Sequence, residues 1–177
     1  MKKKLPSWII LMLVCMIVAG VLGAVNYITQ GPIRQRAEEA AFAARSEAYP
    51  GADEFVALDV PADSGISECY EARINGELAG YVVSLTVNGC KGPIEIQAGF
   101  DLSGSVQAVS IGGSDFQETV GLGAKIKEPA FKDQFKTKTV PVALGDDIDS
   151  VTGASISSGA VVSGVNTAGA YVSGLIG

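Results

Sequence analysis

The chain has 177 residues, no histidine, three cysteines and a formal charge of −6, room for one globular domain and an extra element. The lack of histidine excludes a histidine-based triad and a histidine-ligated metal. Cys15, Cys69 and Cys90 form no CxxC pair and are too few and too dispersed for a zinc or iron–sulfur site within one chain, so redox chemistry here needs an organic cofactor.

Hydrophobic residues make up 47% of the chain, and the excess sits at the N-terminus. Trp8 to Val25 holds no charged or polar side chain, and no charge falls between Lys4 and Arg34. An apolar run of about 18 residues or more reads as a membrane-spanning helix. A signal-peptide core is shorter, about 7–15 residues, so a retained anchor is expected. Lys2, Lys3 and Lys4 precede it. By the positive-inside rule they stay in the cytoplasm, which makes the chain a single-pass protein of the cytoplasmic membrane with an extracytoplasmic C-terminal part. Beyond the lysines, ten basic residues face nineteen acidic ones, a balance that disfavours nucleic acid and anionic lipid as partners. Ala19 with Gly23, and Gly20 with Ala24, have the small-residue spacing that lets another membrane helix approach, although small residues are common in such helices.

Gly31-Pro32 marks the expected exit from the membrane, and Ile33 to Gly51, rich in helix formers, reads as a stalk helix ending at Pro50-Gly51. The expected divisions are 1–30 for lysines and span, 31–50 for the stalk and 51–177 for the domain. From Cys69 the apolar period becomes two. Two strands flank Asn75-Gly76, a hairpin signal. Ile94 to Phe100 and Val106 to Ile111 repeat the pattern around a turn at Asp101 to Gly104. Four strands in series predict an antiparallel meander. Pro129 to Phe135 predicts a short helix, and Val161 to Ile176 a final one, weakened by Gly159, Gly164, Gly169 and Gly174. Strands followed by helices give an α+β class, an antiparallel sheet with flanking helices.

Two motifs carry chemistry. Asp149 to Asn166 places Ser150, Thr152, Ser155, Ser157 and Ser158 among glycine and alanine, with Ser155, Ser157 and Ser158 at the start of the last helix. The first turn of a helix offers free N–H groups and a positive dipole end, an anion site suited to phosphate. Gly153 and Ala154 leave room for a large ligand. No lysine follows the glycine, so this is not a Walker loop. The plainer alternative is a serine-capped helix with a small-residue packing face. The second motif, Gln117 to Ile126, sets Gly121 and Gly123 around Leu122, with Glu118 and Thr119 beside them. Its backbone could lie against a flat ring, or it is an ordinary glycine turn.

In this order, behind a single anchor, the motifs resemble the FMN-binding subunits of ion-pumping respiratory complexes: the G subunits of Rnf electron-transport complexes and the related C subunits of sodium-pumping quinone reductases. The resemblance runs over nearly the whole chain. It implies FMN held by a phosphoester at the end of a motif Asp-x-x-Ser/Thr-Gly-Ala-Ser/Thr, filled here by Asp149, Thr152, Gly153 and Ala154, with Ser155 as acceptor. It further implies flavin contacts from Glu118, Thr119, Gly121, Leu122 and Gly123, with Glu118 and Lys125 as charged candidates for tuning the flavin. Phe116 and Val120 stand where the family commonly has histidine and proline, and the acceptor is more usually threonine. By resemblance an FAD-dependent flavin transferase attaches the cofactor. The chain would be a relay between reduced ferredoxin and NAD in a complex of other membrane subunits that moves Na⁺ or H⁺, with no substrate site of its own. The rival readings are a flavin relay of a quinone reductase or another extracytoplasmic reductase, and a non-redox anchored binding module. Cys69 and Cys90 flank the first hairpin, either as a disulfide or as two free thiols, depending on register.

Overall fold

The structure, a computed structural model, describes residues 7–177, the side chains of Ser7 and Arg34 excepted. Lys2, Lys3 and Lys4, on which the orientation rests, lie outside the described residues. The chain divides into two compact units, one ending at Phe42 and one running from Ala43 to Gly177.

The first unit is formed by a single helix. α1 spans Ser7–Ala48 and passes through Gly31 and Pro32 without a break, so the expected span and stalk are one continuous element. A proline inside a helix loses one backbone bond, which a long helix tolerates. From Trp8 to Val25 the large apolar side chains other than the half-buried Ile9 are exposed, as on a helix whose surroundings are lipid.

The second unit is a five-stranded antiparallel meander in sequence order, β1 (Glu54–Leu58), β2 (Glu68–Ile74), β3 (Glu77–Asn88), β4 (Pro93–Asp101) and β5 (Val106–Gly112). One strand more than expected is present. β1 is only five residues long and pairs Glu54–Leu58 with Cys69–Arg73 of β2 at the sheet edge. The hairpin at Asn75-Gly76 forms as expected, with both residues at positive φ (53° and 82°) and Ile74 facing Glu77, the geometry of a primed two-residue turn. The turn between β4 and β5 is tied by Asp101, whose Oδ1 accepts from the Ser103 and Ser105 N–H groups at 2.8 and 2.9 Å.

α2 (Pro129–Lys132) is followed by a single 3₁₀ turn to Phe135. The last helix, α3, spans Ser155–Ile176 and starts six residues before the expected Val161. Two of its glycines, Gly164 and Gly169, which weaken the helix on propensity alone, are explained by packing, whereas a Cβ on Gly174 would meet nothing. A Cβ at Gly164 would meet Ile96 and Val87, and one at Gly169 would meet Val140 and Phe100. α3 therefore lies against the sheet closely enough to bury Val161, Val165, Ala168 and Val172 with Ile94, Ile96, Phe100, Val106, Phe131 and Phe135. Asn166 adds a two-way bond to the strand-like segment beside it. Its Oδ1 accepts from Val142 N–H and its Nδ2 donates to Val142 O, both at 2.8 Å.

On the opposite face of the sheet a smaller cluster joins Ala48 and Tyr49 to Ala72 and Val82. The Ala48 carbonyl sits where a Cβ on Gly99 would be, and the Tyr49 hydroxyl donates to Ala79 O at 2.8 Å. The cysteines are free. Cys69 is buried opposite Val83, whereas Cys90 lies beyond Asn88 at the far end of β3. At about 3.3 Å per residue the five steps from Val83 to Asn88 already separate them by about 16 Å, well past the ~7 Å limit for a disulfide. The register thus settles the cysteine question in favour of two thiols.

Candidate functional site

The segment before α3 folds in two steps. Ala154 N–H donates to Val151 O at 2.9 Å, closing a turn with Gly153 at φ +78°, a conformation that favours glycine. Next, Ser158 N–H donates to Ala154 O at 2.9 Å, the first bond of the helix ladder. Ala154 is the cap residue and makes no side-chain cap bond, so the serine cap of the plainer alternative is absent. The N–H groups of Ser155, Ile156 and Ser157 precede the ladder and point out of the helix end.

The three serines of this turn have different surroundings. Ser158 is fully buried and its Oγ accepts from Val151 N–H at 3.1 Å, which locks the turn onto the helix. Ser157, also fully buried, accepts from Cys90 N–H at 3.3 Å. Ser155 is exposed.

The second motif approaches the same point. Leu122 and Ala124 N–H groups both bond to Thr119 O, at 3.1 and 3.0 Å, curling the chain into the 3₁₀ turn Gly123–Lys127. Glu118 is 7% exposed, and its Oε1 accepts from Lys91 N–H at 3.2 Å. Gly123 is buried against this carboxylate so closely that a Cβ would collide with it. The two motifs touch where a Cβ on Gly153 would lie 3.1 Å from Leu122 Cδ2.

Between them lies a cavity of about 450 Å³ lined by Glu118, Thr119, Leu122 and Gly123 from one motif, Gly153, Ala154, Ser155, Ile156 and Ser157 from the other, and Cys90. Such a volume lies within the roughly 300–1,000 Å³ usual for small-molecule sites. Its wall includes no lysine or arginine, so the helix end is what answers an anion there. Leu122 and Ile156 are 48% and 66% exposed, two apolar surfaces at the cavity suited to a flat hydrophobic ring.

Four of the expected residues lie off the cavity wall. Asp149 is fixed by Gln134, whose Oε1 accepts from Asp149 N–H at 2.7 Å. Thr152 is exposed within the turn. Gly121, at φ +80°, shapes the loop. Lys125 is exposed, and its backbone closes the 3₁₀ turn through Leu122 O at 3.0 Å. Phe116 packs outside the cavity under the Lys127 ammonium, 4.7 Å from the ring centre, and Val120 is 91% exposed. Sequence reasoning missed Ile156, Ser157 and Cys90 as wall residues. The first two are signalled by helix-start position, while Cys90 arrives only through strand pairing.

The family model of the FMN-binding domain matches residues 89–170, which takes in both motifs and the whole cavity wall. The fold and site thus define an FMN-binding domain, joined here to a helix with the length and hydropathy of a membrane span. Across 89% of the chain and 86% of the relative, the sequence is 30% identical to the G subunit of the Na⁺-translocating ferredoxin:NAD⁺ oxidoreductase complex of Acetobacterium woodii. It is 32% identical, over 97% of the chain and 96% of the relative, to the G subunit of an ion-translocating oxidoreductase complex of Methanosarcina acetivorans. The chain belongs to this family of G subunits. Among solved structures it is similar to the C subunit of Na⁺-translocating NADH-quinone reductase from Parabacteroides distasonis, with 19% identity, a TM-score of 0.49, and coverage of 68% of this chain and 76% of that one.

Proposed function

We propose that Ser155 carries FMN in a phosphoester bond, and that the extracytoplasmic domain so loaded relays electrons inside an Rnf-type complex that couples ferredoxin and NAD to ion movement. Membership of the G-subunit family makes the chain an FMN-binding redox subunit of an ion-translocating oxidoreductase. The attachment, its site and the orientation are the further steps.

The observation that carries the reading is the division of labour among the hydroxyls. Ser157 and Ser158 are buried and already accept backbone N–H bonds, Thr152 is off the cavity wall, and Ser155 is exposed on it. Thr119 also lines the cavity, but it belongs to the other motif rather than to the first turn of α3. At Ser155 a phosphodiester would lie beside the N–H groups of Ser155, Ile156 and Ser157, where one remaining negative charge meets the positive end of a 22-residue helix. Leu122 and Ile156 would flank the ring and exclude water from its faces, and Glu118 would present a fixed carboxylate to its polar edge.

Nothing in the cavity can activate a serine hydroxyl strongly, so attachment calls for a separate flavin transferase using FAD. Ser155 Oγ bonds to the FMN phosphorus, the pyrophosphate bond breaks, AMP leaves, and the hydroxyl proton passes to solvent. FMN in this setting supplies reversible electron acceptance and donation, and this chain's residues hold it and tune it.

The test is the intact mass of the full chain coexpressed with an FAD-dependent flavin transferase. One FMN should survive denaturation on a peptide containing Ser155. Ser155→Thr should retain it and Ser155→Ala should lose it. Covalent FMN on the Ser155→Ala chain would move the acceptor elsewhere.

A further inference from the structure

We propose that the Gly89–Gly92 turn is a third wall of the flavin site, that the Cys90 side chain contacts the bound cofactor, and that Glu118 is a positioning residue for that wall. The proposal rests on FMN occupying the cavity described above.

This turn belongs to neither motif. It is the loop of the β3–β4 hairpin, whose last pair is Asn88 with Pro93, and Gly89 N–H closes it on Gly92 O at 2.9 Å. Each motif reaches it with one buried polar group. Ser157, fully buried, receives Cys90 N–H at 3.3 Å. Glu118, 7% exposed, receives Lys91 N–H at 3.2 Å. Gly89 lies so near Glu118 and Ile94 that a Cβ would strike both. Two buried acceptors spent on adjacent amides of one loop fix where that loop stands, because a buried acceptor left without a donor is costly. The loop so fixed sets Cys90 on the cavity wall together with Ser155, yet Cys90 remains exposed. A soft, polarizable side chain of this size suits contact with a flavin edge, and a ligand seated there covers the thiol. Glu118 thus has a role besides lining the cavity: its Oε1 holds the wall in place.

Alkylation reads this directly. The full chain in detergent, carrying Cys15→Ser, is made with and without the transferase and treated with N-ethylmaleimide. Cys69 stays silent, since burial, with Glu71 nearby, pushes its thiol up to about 11. Loaded protein should react at Cys90 about tenfold more slowly or less, because a covered thiol reacts only from a minority open state. Equal rates with FMN present on the Ser155 peptide would overturn the wall and leave the flavin attachment standing. Absence of the FMN increment would remove the attachment and this proposal together. At equal FMN loading, Glu118→Gln, which keeps an acceptor oxygen for Lys91 N–H, should preserve the protection, and Glu118→Ala should abolish it. Identical protection in the two variants would strip Glu118 of the positioning role.

Discussion

Ser155 and Ser158 lie three residues apart on one helical turn, and the structure assigns them opposite costs. Removing the Ser158 hydroxyl strands the Val151 N–H that it receives at 3.1 Å. A half-buried donor left unpaired costs about 1–3 kcal/mol. Alanine returns up to about 0.5 kcal/mol through better helix propensity. Ser158→Ala should therefore destabilise the domain by about 0.5–2.5 kcal/mol, lowering Tm by on the order of 5 °C. Ser155 is exposed and makes no cap bond, so Ser155→Ala should stay within about 0.5 kcal/mol of the parent. The assay is urea unfolding of the detergent-solubilised chain made without transferase. It should be followed by circular dichroism, since the only tryptophan, Trp8, lies outside the domain. Coexpression with transferase completes the contrast, Ser158→Ala keeping covalent FMN and Ser155→Ala losing it. Equal destabilisation by the two variants, or a neutral Ser158→Ala, would refute the reasoning.

Gly169→Val should destabilise by about 1–3 kcal/mol or more through overpacking, because even a Cβ there meets Val140 and Phe100; thermal melts of the parent and variant check this. Acid should weaken the domain through two carboxylates. Burial raises the Glu47 carboxyl, but hydrogen bonds from Lys132 and Ser110 outweigh it and hold it below its ordinary 4.5. At Asp101 burial is likewise outweighed by bonds from Ser103, Ser105 and Gln107. A lowered folded pKa gives stability that is present above the unfolded value and lost as pH falls through the folded one. Urea midpoints should thus drop below about pH 4.5, the Glu47 share being about 1 kcal/mol or less because solvent screens it, and Glu47→Gln should flatten its part of the profile. The proposed orientation, with Lys2–Lys4 cytoplasmic, predicts that protease added to cells stripped of their outer barrier digests the domain. A protected domain with accessible lysines would reverse the topology.

Local chemistry made the meander readable. Alternating apolar residues marked β2 to β5, and Asn75-Gly76 marked their first turn, because period and φ preference act within a few residues. β1 escaped notice because five edge residues carry too little pattern. α3 looked six residues shorter than it is because Ser157, Ser158 and Gly159 are poor helix formers in isolation. Burial against Cys90 and Val151 overrides that preference. The site divided in the same way. Ser155, Gly153 and Leu122 could be placed from motif spacing, since each acts within its own turn. Cys90 could not, since strand pairing carries it to Ser157, 67 residues away. Nor could the reason for Gly123, which makes room for the Glu118 carboxylate.

The way α1 ends bears on how this domain can be prepared without its membrane. Residues Arg45 to Tyr49 are part of the folded domain in substance: Ala48 and Tyr49 are buried, the Tyr49 hydroxyl is bonded to Ala79 O, and Glu47 receives both Ser110 and Lys132. A water-soluble fragment cut at Pro50-Gly51, where the sequence shows its clearest punctuation, would leave Val82 and Ala72 facing solvent and Lys132 without its carboxylate. A fragment cut at or before Ala43, where the compact unit begins, keeps the plug in its socket. The last turn of the anchor helix is thus the first layer of the soluble protein, and the boundary useful to an experimenter falls inside a helix.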